Sequence, residues 1–474
     1  MSSVVSIENN IDQAGSFGAN RLADLRAADA AHHLHPFSDM KEVNRIGTRI
    51  IAGGEGVYIR DAEGRRILDG FSGLWNVNVG YGRREIADAV HRQMTGLPYY
   101  NLFFKATNVP ATELAAMLNE LTPHQFTHAF FTNSGSESND TIIRMVRHYW
   151  RVLGKPTKTK FIARRNAYHG STVAATSLGG MKYMHEQDGS LIPDVHHVAQ
   201  PYWWAEGGDM TPEAFGEWAA NEVAREIDRH GAENVAAFIG EPIQGSGGVI
   251  IPPETYWPAV QRICRERDVL LISDEVICGF GRTGRWFGCE YFGFEPDFMT
   301  MAKGISSGYL PLGGVMVSGR VAEVIGTEGG EFNHGFTTSG HPVACAAALA
   351  NLSIIRGEKL VERIADDIGP YLGSQWKALA DHPLVGEARI VGLIGALELT
   401  PDKKTRGKFA KTGTAGNLCR DIAYQAGLVL RATGDTLLIA PPFILSRTEA
   451  DELITLTRQS LDEGYAKLKS QGLV

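Results

Sequence analysis

Apolar and polar positions change period several times along this 474-residue chain. Short apolar runs of strand length occur at Ala129–Thr132, Phe161–Ala163, Val235–Ile239, Val269–Ser273, Phe298–Ala302 and Gly314–Val317. Helical spacing fills the intervals between them from about residue 110 to 320. Alternation of this kind predicts a mostly parallel sheet with helices on both faces. Upstream, Gly56–Asp61 and Arg66–Asp69 flank the turn Ala62-Glu63-Gly64-Arg65, which predicts a hairpin. A short helical pattern covers about Arg21 to Ala30, and residues 1 to about 20 read as a loose tail or arm. From about residue 343 the chain turns helical, gives strands near Ile390–Leu399 and Leu437–Ala440, and ends in an amphipathic helix from about Thr448. The expected organisation is an N-terminal segment (1–75) that completes a small domain, a large α/β domain (76–340) and a C-terminal α+β domain (341–474).

Composition narrows the function classes. The chain is 43% hydrophobic, enough for a large core, and carries a net charge of −8, which argues against nucleic-acid or anionic-membrane partners. Its 54 glycines exceed the ~7% of an ordinary chain and fall at strand ends and loops, where tight turns near a ligand need them. The five cysteines are odd in number and form no C-x-x-C pair, so neither a disulfide framework nor structural zinc is expected. Reduced thiols, no run of 18 apolar residues and no secretory signal pattern give the expectation of a cytoplasmic protein.

Candidate chemistry gathers at strand ends. Asp274 follows the run Val269–Ser273, and Lys303 follows Phe298–Ala302. Ligand sites of open α/β sheets lie at the carboxyl ends of strands, although a lone strand-end Asp is more often a structural or capping residue and a lone Lys more often a surface cation. On an extended strand Asp274 and Val276 would share one face. Ser134-Gly135-Ser136-Glu137-Ser138-Asn139 opens a helical run, which suits a phosphate at a helix N-terminus, although taken alone it reads better as an ordinary cap. Tyr168 in Tyr168-His169-Gly170-Ser171 could stack on a flat cofactor or sit in a core. Gly279-Phe280-Gly281-Arg282-Thr283-Gly284 fits G-x-G-x-x-G, and Gly304-Ile305-Ser306-Ser307-Gly308 fits G-x-S-x-G. Neither precedes the helix that its motif requires, so both read as decoys. His32-His33-Leu34-His35 lacks a matching carboxylate or cysteine set and reads as incidental, and Trp203-Trp204 as core or interface.

Taken in order, these segments resemble the class III (fold type I) pyridoxal-phosphate aminotransferases, most closely the bacterial ω-transaminases that move an amino group from an amine or ω-amino acid to pyruvate. The resemblance runs from about His33 to the C-terminus. It rests on Leu74-Trp75-Asn76-Val77, Ser134–Asn139, Asn166–Ser171, Gly240-Glu241-Pro242-Ile243-Gln244-Gly245, Ser273–Arg282, Ala302-Lys303-Gly304, Gly335–Pro342 and Leu430-Arg431-Ala432.

The resemblance implies pyridoxal 5'-phosphate as cofactor and no metal. Lys303 would form the Schiff base and shuttle the proton, and Asp274 would pair with the ring nitrogen. Tyr168 and Val276 would sandwich the ring. Gly135 and Ser136 would hold the phosphate, aided by Thr337 from a partner subunit of a homodimer or tetramer. Trp75 and Phe103, with Tyr168, would line the substrate pocket, and Arg431, in a loop loosened by Gly427, Thr433 and Gly434, would meet the acceptor carboxylate. Two positions depart from the family pattern: Ile277 stands where Gln is common, and Thr338 where Tyr or Phe is common. Another enzyme on the same cofactor, or a non-catalytic cofactor-binding protein, remains as an alternative reading.

Overall fold

The computed structural model describes residues 18–188 and 191–474, so most of the expected N-terminal arm lies outside the described residues. A seven-stranded sheet runs through the centre in the order Phe126–Thr132, Gly313–Ser318, Phe298–Met301, Leu270–Asp274, Val235–Gly240, Lys160–Arg164, Val195–Val198. Gly313–Ser318 is antiparallel to both neighbours, and the other adjacent pairs are parallel. The mostly parallel sheet read from the alternating pattern is therefore present, with one reversed strand.

The three middle strands are buried at every position. That explains their mainly apolar sequence, since a parallel sheet is covered on both faces. Successive side chains point to opposite faces, and two cores result. Phe238, Leu271 and Met299 join Phe215, Val223, Trp257 and Val260 from the helices Pro212–His230 and Tyr256–Glu266. Ile239, Ile272 and Phe298 join Ile142, Val146 and Trp150 from the helix Gly135–Val152. Each such side chain contributes about 1.5–3 kcal/mol on burial.

Two smaller sheets flank this layer. Ile51–Glu55, Tyr58–Asp61 and Arg66–Asp69 form an antiparallel set, and Leu428–Val429 adds to it in parallel through Leu428↔Leu68 and Val429↔Asp69. The N-terminal strands thus join the C-terminal part of the chain. Val385–Val391, Ile394–Leu399, Thr436–Ile439 and Arg431–Thr433 form the second sheet. The helix Arg447–Ser470 opens with a capping box in which Ser446 accepts from Glu449 N and Glu449 reaches back to Ser446 N. Among the described residues no helix is long and apolar enough to cross a membrane.

Arg282 ties these parts together from inside the would-be G-x-G-x-x-G loop. It is fully buried, donating to Leu393 O (3.2 Å), Pro441 O (2.6 Å) and Asn78 Oδ1 (2.8 Å). Burial weighs against its charge, with Cys278 and Asp69 offsetting part of that cost. Hydrogen bonds to a charged group contribute about 1.5–3 kcal/mol each, and removing the guanidinium would leave three buried acceptors without their donor. Arg282→Met is expected to lower unfolding stability by about 3 kcal/mol, seen as a lower urea midpoint. A midpoint unchanged or raised would mean that desolvation outweighs the three bonds.

Candidate active site

The strand Leu270–Asp274 ends on a carboxylate that is only 3% exposed. Asp274 Oδ2 accepts from His169 Nδ1 (2.7 Å) and Asn139 Nδ2 (3.0 Å), while among the described residues Oδ1 accepts only from Val276 N (3.2 Å). Burial alone would raise this carboxyl. The hydrogen bond and charge of His169, with the bonds from Asn139 and Val276, overcome burial and hold it below the usual carboxylate range. The shared strand face expected for Asp274 and Val276 does not exist, because the strand stops at Asp274. Val276 lies in the following turn, closed by its own N–H on the Asp274 side chain, and reaches the same cavity by that route.

Lys303 opens a single 3-10 turn after the strand Phe298–Met301, with φ at +47°. A non-glycine residue in this region costs about 1–3 kcal/mol, held by its surroundings. Among the described residues its Nζ has neither a hydrogen bond nor an ion pair. Burial pushes its pKa down to about 8, with Asp274 raising it and Arg431 lowering it further.

Trp75 stands between this amine and a guanidinium. Its ring centroid is 5.2 Å from Lys303 Nζ and 4.8 Å from Arg431 Cζ. The backbone that carries it is left-handed at Ser72, Gly73 and Trp75. Asp69 clamps that turn by accepting from Phe71 N (3.0 Å), Gly73 N (2.6 Å) and Tyr81 Oη (2.6 Å), and Ser72 Oγ donates to Ala440 O (2.7 Å).

Arg431 begins a strand paired to Thr436–Ile439 through Arg431↔Leu438, so its backbone is anchored rather than held in a loose loop. Any swing of the guanidinium must come from the side chain. It has no hydrogen-bond or ion-pair partner among the described residues. Burial lowers its pKa, with Tyr183 and Tyr168 acting in the opposite sense.

Gly135 and Ser136 form the first turn of the helix Gly135–Val152. Ser134 Oγ accepts from Glu137 N (3.2 Å), so the ordinary cap is present. The N–H groups of the first turn still lack intrahelical acceptors. A Cβ on Gly135 would come within 2.9 Å of Val276, so only glycine lets this turn approach so closely. Ser136 Oγ accepts from Ser171 N (3.0 Å), joining the turn to the Tyr168 loop. Tyr168 itself is placed by Glu241, whose Oε1 accepts from Tyr168 N (3.1 Å) and whose Oε2 accepts from Gly245 N (2.9 Å).

These groups meet in one cavity of about 900 Å³, lined by Trp75, Gly135, Ser136, Tyr168, Asp274, Val276, Lys303 and Arg431. Phe103 and Thr337 do not line the cavity of their own chain. Phe103 packs against Gly335 on an exposed stretch, and Tyr99 Oη bonds Thr337 O (2.7 Å) beside it. Ile277 fills the space against Gly245, and Thr338 Oγ1 donates to Asn133 Oδ1 (2.8 Å). Asn139, His169 and Glu241 hold the site although no sequence feature assigned them a role. All three sit in motifs already quoted.

The donor set suits a flat, phosphorylated aldehyde cofactor. An unpartnered amine of lowered basicity, a buried anion with a free lone-pair side and a helix start closed by glycine share one cavity.

Comparison with known proteins agrees. The family model described as aminotransferase class-III matches residues 40–461. The putrescine–pyruvate aminotransferase of Pseudomonas aeruginosa is 56% identical over 446 residues, covering 94% of this chain and 97% of that protein. A thermostable (S)-enantioselective ω-transaminase from Thermomicrobium roseum superposes with a TM-score of 0.91 at 44% identity, covering 95% of this chain and 99% of that one. The ω-transaminase of Pseudomonas jessenii in complex with PMP gives a TM-score of 0.92 at 40% identity, covering 94% and 99%.

The lysine's environment has a measurable sign. A neutral amine reacts with acylating reagents and an ammonium does not, so a lowered pKa makes reactivity appear at lower pH. In the cofactor-free chain, labelling of Lys303 is expected to be half-complete near pH 8, about two pH units before ordinary lysines. Peptide mapping across a pH series checks this. Labelling in step with the surface lysines would contradict the desolvation account.

Proposed function

We propose a division of roles within the cavity of this chain, which belongs to the class III aminotransferases. Its cofactor is pyridoxal 5'-phosphate, and its substrates are an amine donor and a keto-acid acceptor. The reaction we assign moves an amino group from a primary amine, diamine or ω-amino acid to pyruvate or a similar keto acid in two successive half-reactions. Identity of 56% to a putrescine–pyruvate enzyme supports that substrate pair.

When bound, the cofactor supplies an aldehyde that condenses with primary amines and a ring that withdraws electrons from the adjoining carbon. The chain supplies the rest. Lys303 would hold the cofactor at rest. With its pKa near 8, part of it is neutral at physiological pH and able to take and return the proton at the substrate carbon. Asp274, kept anionic by His169 and Asn139, would hold a proton at the ring nitrogen. Tyr168 and Val276 would clasp the ring, and the helix start at Gly135 and Ser136 would receive the phosphate. Trp75 would offer an apolar wall to the donor.

Thr337 would complete the phosphate site of a second copy, making the active unit a homodimer or a tetramer built from such dimers. The exposed aromatic stretch beside it, with Tyr100, Phe103 and Phe104, favours this reading. Phe103 would then line the neighbour's pocket. We place the chain in the cytoplasm, in keeping with five buried, unpaired cysteines. We also propose the division 1–75, 76–340 and 341–474, which the pairing of Leu68 and Asp69 with Leu428 and Val429 supports.

The observation that carries the substrate assignment is the unpaired guanidinium of Arg431 beside Trp75. A keto acid brings a carboxylate that a guanidinium matches bidentately, whereas a simple amine donor brings none. Arg431→Ala is expected to slow the pyruvate half-reaction by ~1.5–3 kcal/mol, roughly 10- to 150-fold. The half-reaction with a carboxylate-free amine should stay within several-fold of the parent. Stopped-flow traces of each half-reaction decide the matter, and equal losses in both would assign Arg431 a structural role instead.

A further inference from the structure

We propose that Asp29, His33 and His35 bind one divalent cation of the zinc class and so fasten the segment that enters the mouth of the cavity. The sequence pattern offers histidines without an acidic partner, and the fold supplies one. Asp29 lies in the last turn of the helix Ala19–His32, and the chain leaves that helix extended at His33. Residues two apart on an extended chain share a side, so His33 and His35 both return to Asp29. Asp29 Oδ1 is 3.1 Å from His33 Nδ1, and Oδ2 is 3.0 Å from His35 Nε2. The two rings are 4.2 Å apart and tilted by 42°. All three ligand atoms lie within 4.8 Å of one another.

Zinc bonds of about 2.0–2.2 Å set neighbouring ligand atoms roughly 3.3–3.5 Å apart, so side-chain adjustment alone closes the set. Two imidazoles and one carboxylate favour zinc over the hard cations magnesium and calcium. His33 is the most exposed of the three, with a side chain 60% accessible, which leaves room for water as a fourth ligand.

A second cluster, His196, Glu226 and His230, is a poorer site. Its rings stack 3.8 Å apart at 30°, which directs their lone pairs side by side rather than toward one point. Glu226 Oε1 already accepts from Arg229 (2.5 Å) and His230 (3.1 Å), and that guanidinium repels a cation. No arginine or lysine contacts Asp29 among the described residues.

Position gives the cation a consequence. Pro36 and Phe37 follow directly and line the cavity, where Phe37 meets Tyr168 edge-on at 6.4 Å. A metal on residues 29–35 would fix where Phe37 sits. That consequence rests on the cavity being the active site, whereas the binding itself does not.

The test is calorimetric titration of zinc into the untagged holoenzyme, with hydrogen exchange followed over residues 30–40. We expect one equivalent per chain and slowed exchange in that segment. Binding should disappear in the His33→Ala/His35→Ala variant, weaken at least about tenfold in Asp29→Asn and persist in His230→Ala. Amino transfer measured before zinc is added reports separately on the assigned reaction. Absence of saturable binding, binding undiminished in the double variant, or binding lost in His230→Ala would each overturn the site.

Discussion

The buried charge of Asp274 constrains most of what surrounds it. An isolated carboxylate in a protein interior would take up a proton rather than stay ionised. Here the anion is kept by three donors from three places: His169 from the loop after Lys160–Arg164, Asn139 from the helix Gly135–Val152 and Val276 N from the turn beyond the strand. Those bonds do more than stabilise a charge. They set the helix start that carries Gly135 and Ser136, and the loop that carries Tyr168, at defined positions around one strand end. A change in any of the three donors would shift the anion and the surrounding walls together.

Lys303 is the counterpart, and its treatment is opposite. The described residues give it no partner and surround it with Trp75, a distant guanidinium and a backbone in the left-handed region. The strain in this region extends beyond Lys303, since Ser72 and Trp75 are also left-handed, with Asp69 and Tyr81 bracing them. Local backbone cost of this kind persists only where the neighbourhood over-determines it. An anion held charged and an amine of lowered basicity, at the ends of adjacent strands, are what proton transfer at a carbon needs.

Much of this was legible in the sequence, for physical reasons. The central strands were readable because burial on both faces leaves them mainly apolar, with polar residues confined to Thr300 and the strand-end pair Ser273 and Asp274. Val195–Val198 was not, because His196 and His197 interrupt the apolar run of an edge strand. Ile51–Glu55 was missed because Gly53 and Gly54 sit where strand-forming residues would be expected, close to Arg60 and Tyr81. Asp274 and Lys303 stood out as charges closing apolar runs. His169 and Glu241 did not, because their roles arise from contacts 105 and 73 residues away in sequence. Val276 differs in geometry, because the strand ends at Asp274 and the Val276 N–H turns back onto the Asp274 side chain. The His32–His35 run was set aside for want of a carboxylate that helix geometry, rather than sequence adjacency, brings to it.

The central claim is that one lysine, fixed by the fold, carries the cofactor. Borohydride reduction of the holoenzyme, followed by peptide mapping, tests it directly. The account predicts a single reduced cofactor adduct, on Lys303. Lys158 is the informative control, since burial lowers it to about 8 as well, yet its ammonium is spent on the carbonyls of Ala232, Val235 and Asp268. An adduct on Lys158, or on any lysine other than Lys303, would contradict the account.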